Sequence, residues 1–312
     1  MVKKLDFSNI AFGDTPIEYR YYPSSIISLN QIMGGKGLRG GTITQLLAEP
    51  GHGKTTLALD FLAQGQKSSV KEVEVTQGKT VRKINALFVD LERSFDPVYA
   101  AKIGVDLSKL LVLRPSYAEQ CLAQVEWFLT NGLQLIVFDS VPAMVTKDEF
   151  EKEMDDPARM AGASGLLSRW VIRLVGMVHN ADAMFIFINQ YRANLSPMAR
   201  TEKKPFGARS LRYYCNVILE LVRIRNEDER TIIQATVTKN KQSGEGNRCE
   251  YTMLKGRGLA PEYDILALAL EYGIITKAGA WYEYAGKKAQ GLDNCIQHFD
   301  LGEIRKQVEA GG

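Results

Sequence analysis

The sequence predicts an α/β fold: a core over residues 26–256 with a mostly parallel central sheet flanked by helices, a short N-terminal arm over 1–25 and a small α/β C-terminal domain over 257–312. Three observations carry this. Continuous apolar runs at 42–47, 86–90, 133–139 and 184–188 alternate with helical patterns near 55–65, 117–130 and 162–180, and strands apolar on both faces belong to a buried parallel sheet. A chain of 312 residues with 45% hydrophobic composition can bury one large core and still carry appendages. Finally, the first strand runs directly into a glycine-containing turn and a helix, a connection with its own chemistry.

That turn reads Ala48-Glu49-Pro50-Gly51-His52-Gly53-Lys54-Thr55-Thr56. Small residues let successive backbone N–H groups curl around a polyphosphate, Lys54 reaches the outer phosphates and the Thr55 hydroxyl can hold Mg²⁺. The first loop position is Ala48, where this motif usually has glycine. Residues 68–83 then form an excursion whose alternation about Gln77-Gly78 suggests a surface hairpin, carrying Lys71, Lys79, Arg82 and Lys83. The strand at 86–90 is followed by Glu92, which should face the same crevice as the phosphate loop; as a residue it is a candidate base or an ordinary surface carboxylate. The strand ending at Asp139 places a second carboxylate where it can hold Mg²⁺ through water, or cap the next turn. Beyond residue 216 the runs 217–224 and 231–239, separated by a charged turn, predict a hairpin that extends the sheet. A helix at 264–271, an aromatic segment at 278–284 and a final helical stretch make up the C-terminal domain.

Composition excludes several classes. No run of eighteen apolar residues exists and the start lacks the apolar core of a signal peptide, so a soluble, cytoplasmic protein is expected, in a bacterial or phage-infected cell. Cys121, Cys215, Cys249 and Cys295 have no paired short spacing, which favours free thiols over a zinc site. A net charge of +3 does not announce a nucleic-acid binder, so any such surface must come from local clusters.

The stretch Asp90-Leu91-Glu92-Arg93-Ser94-Phe95-Asp96-Pro97-Val98-Tyr99, continuing to Asp106, resembles the matching segment of the RecA recombinase family, as do Phe187-Ile188-Asn189-Gln190, Leu211-Arg212-Tyr213-Tyr214, Lys239-Asn240-Lys241 and Ala278-Gly279-Ala280-Trp281-Tyr282. Leu266-Ala267-Leu268-Ala269-Leu270-Glu271-Tyr272-Gly273 is similar to phage members such as UvsX. The resemblance implies a RecA-like fold, with ATP and Mg²⁺ as cofactors. It implies that Glu92 activates the attacking water, that Asp96 and Tyr99 hold the adenine, and that Gln190 senses the γ-phosphate; Tyr263 is assigned to the nucleotide as well. Lys239 and Lys241 match lysines that reach the neighbouring subunit's ATP, although their residue types alone fit an exposed strand end. Tyr213 matches an interface aromatic or is a core tyrosine.

After Gln190, residues 191–209 carry five Arg or Lys against one Glu, interleaved with apolar side chains and two prolines. By position this is the family's second DNA loop, with Arg192, Leu195, Met198, Arg200, Lys203, Lys204, Phe206 and Arg209 as candidate contacts; a lid over the nucleotide is the other reading. The first DNA loop falls at 153–160, with Arg159 and Met160 as contacts. A strand-like segment at 17–22 is expected to pack on the next subunit or on its own core, and the lack of an acidic tail to leave duplex DNA less excluded. The expected activity is DNA-stimulated ATP hydrolysis coupled to filament formation on single-stranded DNA and to strand exchange. Implied partners are single-stranded DNA, duplex DNA, further copies of the chain, and single-strand-binding and loader proteins. A hexameric helicase motor and a DNA-independent nucleotide switch are the alternatives on the same fold.

Overall fold

The computed structural model describes residues 18–151, 162–193, 203–206 and 208–311, without the side chains of 192, 193, 203, 204, 208 and 209. The described residues begin with β1 (Tyr21–Tyr22), α1 (Ile27–Ile32), β2 (Leu38–Arg39), β3 (Thr42–Ala48) and α2 (Lys54–Gln66). The hairpin β4 (Val73–Gln77) and β5 (Thr80–Ile84) leads to β6 (Ala86–Asp90), α3 (Pro97–Ile103), β7 (Leu110–Leu113), α4 (Ala118–Thr130) and β8 (Leu135–Asp139). Then come α5 (Lys147–Glu151), α6 (Gly162–Ala181), β9 (Met184–Asn189), a small hairpin β10 (Tyr191–Ala193) and β11 (Lys203–Pro205), and α7 (Ala208–Tyr214). The long strands β12 (Val217–Asn226), β13 (Arg230–Asn240) and β14 (Arg248–Leu254) precede β15 (Gly258–Leu259) and α8 (Pro261–Glu271). The last elements are β16 (Thr276–Ala278), β17 (Trp281–Tyr284), β18 (Lys287–Gln290), α9 (Leu292–His298) and α10 (Leu301–Gly311).

Among the described residues nine strands form one sheet in the order β15-β14-β13-β12-β3-β9-β8-β6-β7. From β12 to β7 every pairing is parallel, and β12 to β15 are antiparallel. The two-residue period explains why both faces are apolar. Leu46 and Ala48 of β3, Ile186 and Ile188 of β9 and Val137 of β8 face one layer with α2, while Leu47, Phe185, Phe187 and Phe138 face the other with α4 and α6. All the parallel strands end on one edge, which gathers Ala48, Asp90, Asp139 and Asn189.

The edge strand β7 and the strand β14 were not anticipated. Four half-buried leucine and valine residues give β7 no alternation to read, and β14 is recognised only by its pairing with β13. The expected excursion is a hairpin anchored by buried Val73 and Ile84, with Gly78 turning at φ +60°. The aromatic segment resolves into the three-stranded sheet β16-β17-β18, packed with α8, α9 and α10 around Leu266, Tyr282, Ile304 and Val308. Of the two readings for the strand-like segment, Tyr21 and Tyr22 follow the one on the chain's own core: they pair with Arg39 and Leu38, and Tyr22 is completely buried. Residues 1–17, including Ile17, lie outside the described residues. Among the described residues no helix is long and apolar enough to cross a membrane, and the four cysteines are unpaired.

Candidate nucleotide site and the hairpin beside it

The strand β3 delivers the phosphate loop to the edge where the parallel strands end. Gly51 and Gly53 have φ of 75° and 79°, a left-handed conformation that side chains disfavour, and a Cβ on Gly53 would stand 2.5 Å from the Met253 sulfur. Gly53 caps α2 without a side chain, so the first N–H groups of that helix remain available to an anion. Ala48 is the last residue of β3, fully buried in the core, so the methyl group at this position meets a strand environment. Lys54 Nζ donates to the carbonyls of Ala48 and Glu49 at 3.1 and 2.8 Å. Burial lowers its ammonium pKa, against the opposing pull of Asp139, Glu92 and Glu49. Pro50 and Gly51 line the cleft, whereas His52 turns its Nδ1 toward the Leu221 carbonyl at 3.3 Å.

A cavity of about 350 Å³ opens on this loop, lined by Lys54, Thr55, Thr56, Glu92, Asp139 and Gln190 among others. The Thr55 hydroxyl donates to Asp139 Oδ2 at 2.8 Å. Burial pushes the Asp139 carboxyl up to about 7 and the nearby Glu92 and Asp90 carboxylates add to this, while the Thr55 hydrogen bond opposes it. A buried carboxylate beside a hydroxyl is a donor set suited to a hard divalent cation, whose charge would offset that electrostatic cost.

Glu92 is held from the residues that directly follow two other strands, β8 and β9. Its Oε1 accepts from the Ser140 hydroxyl and from Gln190 Nε2, the latter at 3.1 Å. The turn presenting it is set by Asp90, a fully buried carboxylate that accepts from Ser94 N at 2.9 Å and from Arg114 Nε at 2.9 Å. Neither Ser140 nor Asp90 was singled out in the sequence. Asp90 carried a readable signal, since it ends an apolar strand as Asp139 does.

The expected base contacts separate. Asp96 caps α3 by accepting from Val98 N and Tyr99 N at 2.8 and 3.2 Å. Tyr99 meets the Thr56 hydroxyl at 2.9 Å and lines a second cavity of about 410 Å³ with the turn 226–229, Lys255 and Gly256; Met253 borders both cavities. Tyr263 lines neither. It sits on α8, donating to Asp293 at 2.5 Å beneath the Arg230 guanidinium, while Lys255, eight residues earlier, is among the residues that line the cavity with Tyr99.

Lys239 and Lys241 stand apart from Lys54, around a cavity of about 590 Å³ with Arg212, Tyr213 and Glu245. Tyr213 is 79% exposed, which removes the core reading for it. Lys239 Nζ donates to the carbonyls of Arg212 and Tyr213, and burial followed by the charge of Lys241 lowers its pKa.

Gln190 opens the basic loop, whose base is the β10–β11 hairpin with Arg192 opposite Lys204. Asn189 Nδ2 donates to the Phe206 carbonyl at 2.8 Å, and Phe206 N to the Gln190 carbonyl at 3.3 Å, closing the neck. Phe206, expected among the DNA contacts, is half-buried against the core layer of α6. Arg159, Met160, Leu195, Met198 and Arg200 lie outside the described residues, as do the side chains of Arg192, Lys203, Lys204 and Arg209.

Comparison with known proteins meets the same architecture. The RecA N-terminal domain family matches residues 10–260 and the RecA C-terminal domain family residues 263–310. The RecA protein of Aquifex pyrophilus is 34% identical over 304 residues, covering 94% of this chain and 83% of the relative. That of Kineococcus radiotolerans is 33% identical over 306 residues, covering 94% and 83%. In fold, the chain is similar to the crystal structure of the RadB recombinase, with a TM-score of 0.54 and 22% identity over 74% of this chain and 95% of that one.

Proposed function

The chain belongs to the RecA family, and from that premise we propose that it is an ATP-dependent recombinase that assembles head-to-tail on single-stranded DNA, hydrolyses ATP in response, and promotes pairing and strand exchange with duplex DNA. The similarity of Leu266 to Gly273 to phage members is confined to that segment, and the relatives above are bacterial, so the proposal carries the family and not the phage subtype.

The phosphate loop and the N-terminus of α2 bind the polyphosphate, and Lys54 exchanges its backbone acceptors for phosphate oxygens. Thr55 and Asp139 would hold Mg²⁺, which would offset phosphate charge. Glu92 takes a proton from water as the water oxygen bonds to the γ-phosphorus; the bond from that phosphorus to the β,γ-bridging oxygen breaks and ADP carries the electron pair away. Tyr99 walls the base-side cavity. Lys239 and Lys241 serve the site of the adjoining subunit, where cations stabilise the transferring phosphoryl group.

One observation carries the link to DNA: Gln190 donates to Glu92 and is also the residue from which the basic hairpin springs. Order imposed on the hairpin by a bound strand is therefore felt one hydrogen bond from the hydrolytic carboxylate. The test is ATP hydrolysis with and without single-stranded DNA over a salt series, with Lys203→Ala/Lys204→Ala for comparison. Strong stimulation that fades with salt and weakens in the double variant is expected. Unstimulated hydrolysis would make the chain a DNA-independent ATPase, and stimulation with directional unwinding but no joint molecules would make it a helicase motor.

A further inference from the structure

Tyr191 directly follows Gln190, but unlike Gln190 it does not line the cavity at the phosphate loop. The ring packs half-buried on the aromatic core layer, and its hydroxyl donates to Glu220 Oε1 at 2.5 Å. Burial, then the Glu220 carboxylate, raise the phenol pKa, so the hydroxyl remains a proton donor to an anionic acceptor. Glu220 lies on β12 level with Leu47 of β3, and Asn189 of β9 is level with the same Leu47. The tyrosine therefore crosses the end of β3 and joins strands two spacings apart, roughly 10 Å. Its acceptor strand is the one that pairs with β13, and Ile218, two residues before Glu220, is the register partner of Lys239.

The dipeptide Gln190-Tyr191 thus touches Glu92 with one side chain and β12 with the next. We infer that Tyr191 and Glu220 form a clasp that fixes the base of the hairpin, so that ordering of the hairpin by single-stranded DNA moves Gln190 against Glu92 instead of being absorbed by a swivelling stem. Both are positioning residues, acting through Gln190. A hairpin tethered only at its neck, by Asn189 and Phe206, can pivot about β9; the second attachment on β12 removes that freedom. The inference rests on the proposed coupling of DNA binding to hydrolysis.

The experiment measures ATP hydrolysis of the full chain with and without single-stranded DNA for Tyr191→Phe, Glu220→Ala, Glu220→Gln and the double variant Tyr191→Phe/Glu220→Ala. Tyr191→Phe removes one oxygen and leaves the packing ring. The clasp predicts that Tyr191→Phe and Glu220→Ala each lower the ratio of DNA-stimulated to unstimulated rate by about tenfold, the scale of one hydrogen bond to a charged group. Glu220→Gln, which keeps an acceptor oxygen, should restore most of that ratio, and the double variant should be no worse than either single. Ratios unchanged in Tyr191→Phe, multiplicative losses in the double variant, or parallel falls in both rates with thermal midpoint would overturn the clasp. Failure of the underlying reading is distinguishable, because the unmodified protein would then show no stimulation.

Discussion

Glu92 draws its orientation from residues far away in sequence, Ser140 and Gln190, and from the turn that Asp90 holds. A carboxylate fixed in this way can be neutralised without moving it. Glu92→Gln is expected to lower hydrolysis by at least about a hundredfold, the scale of a lost general base, while ATP binding and DNA-dependent assembly persist; single-turnover hydrolysis and nucleotide affinity measured together check this. Asp139 gives a second prediction, on stability. Burial holds its folded pKa at about 7, above the ordinary aspartate value of 3.8, so the folded state holds more protons between those values and stability falls as pH rises through that window. A carboxamide in its place cannot titrate. In nucleotide-free protein, Asp139→Asn should therefore match the parent near pH 4 and exceed it by a few kcal/mol, on the order of the shift, near pH 8. Urea midpoints across that range decide it; a gap independent of pH would contradict the burial argument.

At the scale of elements, the docking of the C-terminal unit rests on a helix cap supplied from a distant part of the chain. The helix α1 has no cap of its own; Asp264, on α8, accepts from Ile27 N and Ser28 N at 2.7 and 3.2 Å and from the Ser28 hydroxyl. Ile27 also packs in the C-terminal core, so one turn of helix joins both units. Asp264→Ala strands these buried donors and should cost about 1–3 kcal/mol. Its denaturant transition is expected to shift to lower urea, with the nucleotide affinity of the folded protein retained. The β10–β11 neck works on the same principle, since the Asn189 amide satisfies the Phe206 carbonyl. Removing it with Asn189→Ala should reduce DNA stimulation more than unstimulated hydrolysis, in a steady-state comparison of the two rates.

For the whole molecule, the separation of Lys239 and Lys241 from Lys54 makes a prediction that no single subunit can satisfy. If each nucleotide is completed by the neighbour's lysines, Lys54→Ala and Lys239→Ala/Lys241→Ala proteins should each be inactive yet recover hydrolysis when mixed. The mixture contains interfaces with an intact phosphate loop on one side and intact lysines on the other. Absence of recovery in a mixture shown to co-assemble would place the lysines in a structural role. The exposed Tyr213 ring beside these lysines belongs to the same surface, and Tyr213→Ala should weaken assembly as read by sedimentation.

Local physics was enough for much of this protein. The phosphate loop was readable because glycines with forced φ, a lysine and a threonine must sit at fixed offsets between a strand and a helix. The parallel sheet was readable because strands buried on both faces leave continuous apolar runs, and Asp139 because it ends one of them. What the tertiary structure decided are the contacts made across strand order. Asn189 and Glu220 stand 31 positions apart in sequence yet level with the same residue of β3, so nothing periodic announces that Tyr191 reaches Glu220, just as nothing announces that Ser140 orients Glu92. Tyr263 shows the limit in the opposite direction. The resemblance assigned it to the nucleotide, whereas its hydroxyl bond to Asp293 of α9, thirty positions on, is decided by the packing of α8 against α9, which no local pattern in the sequence announces.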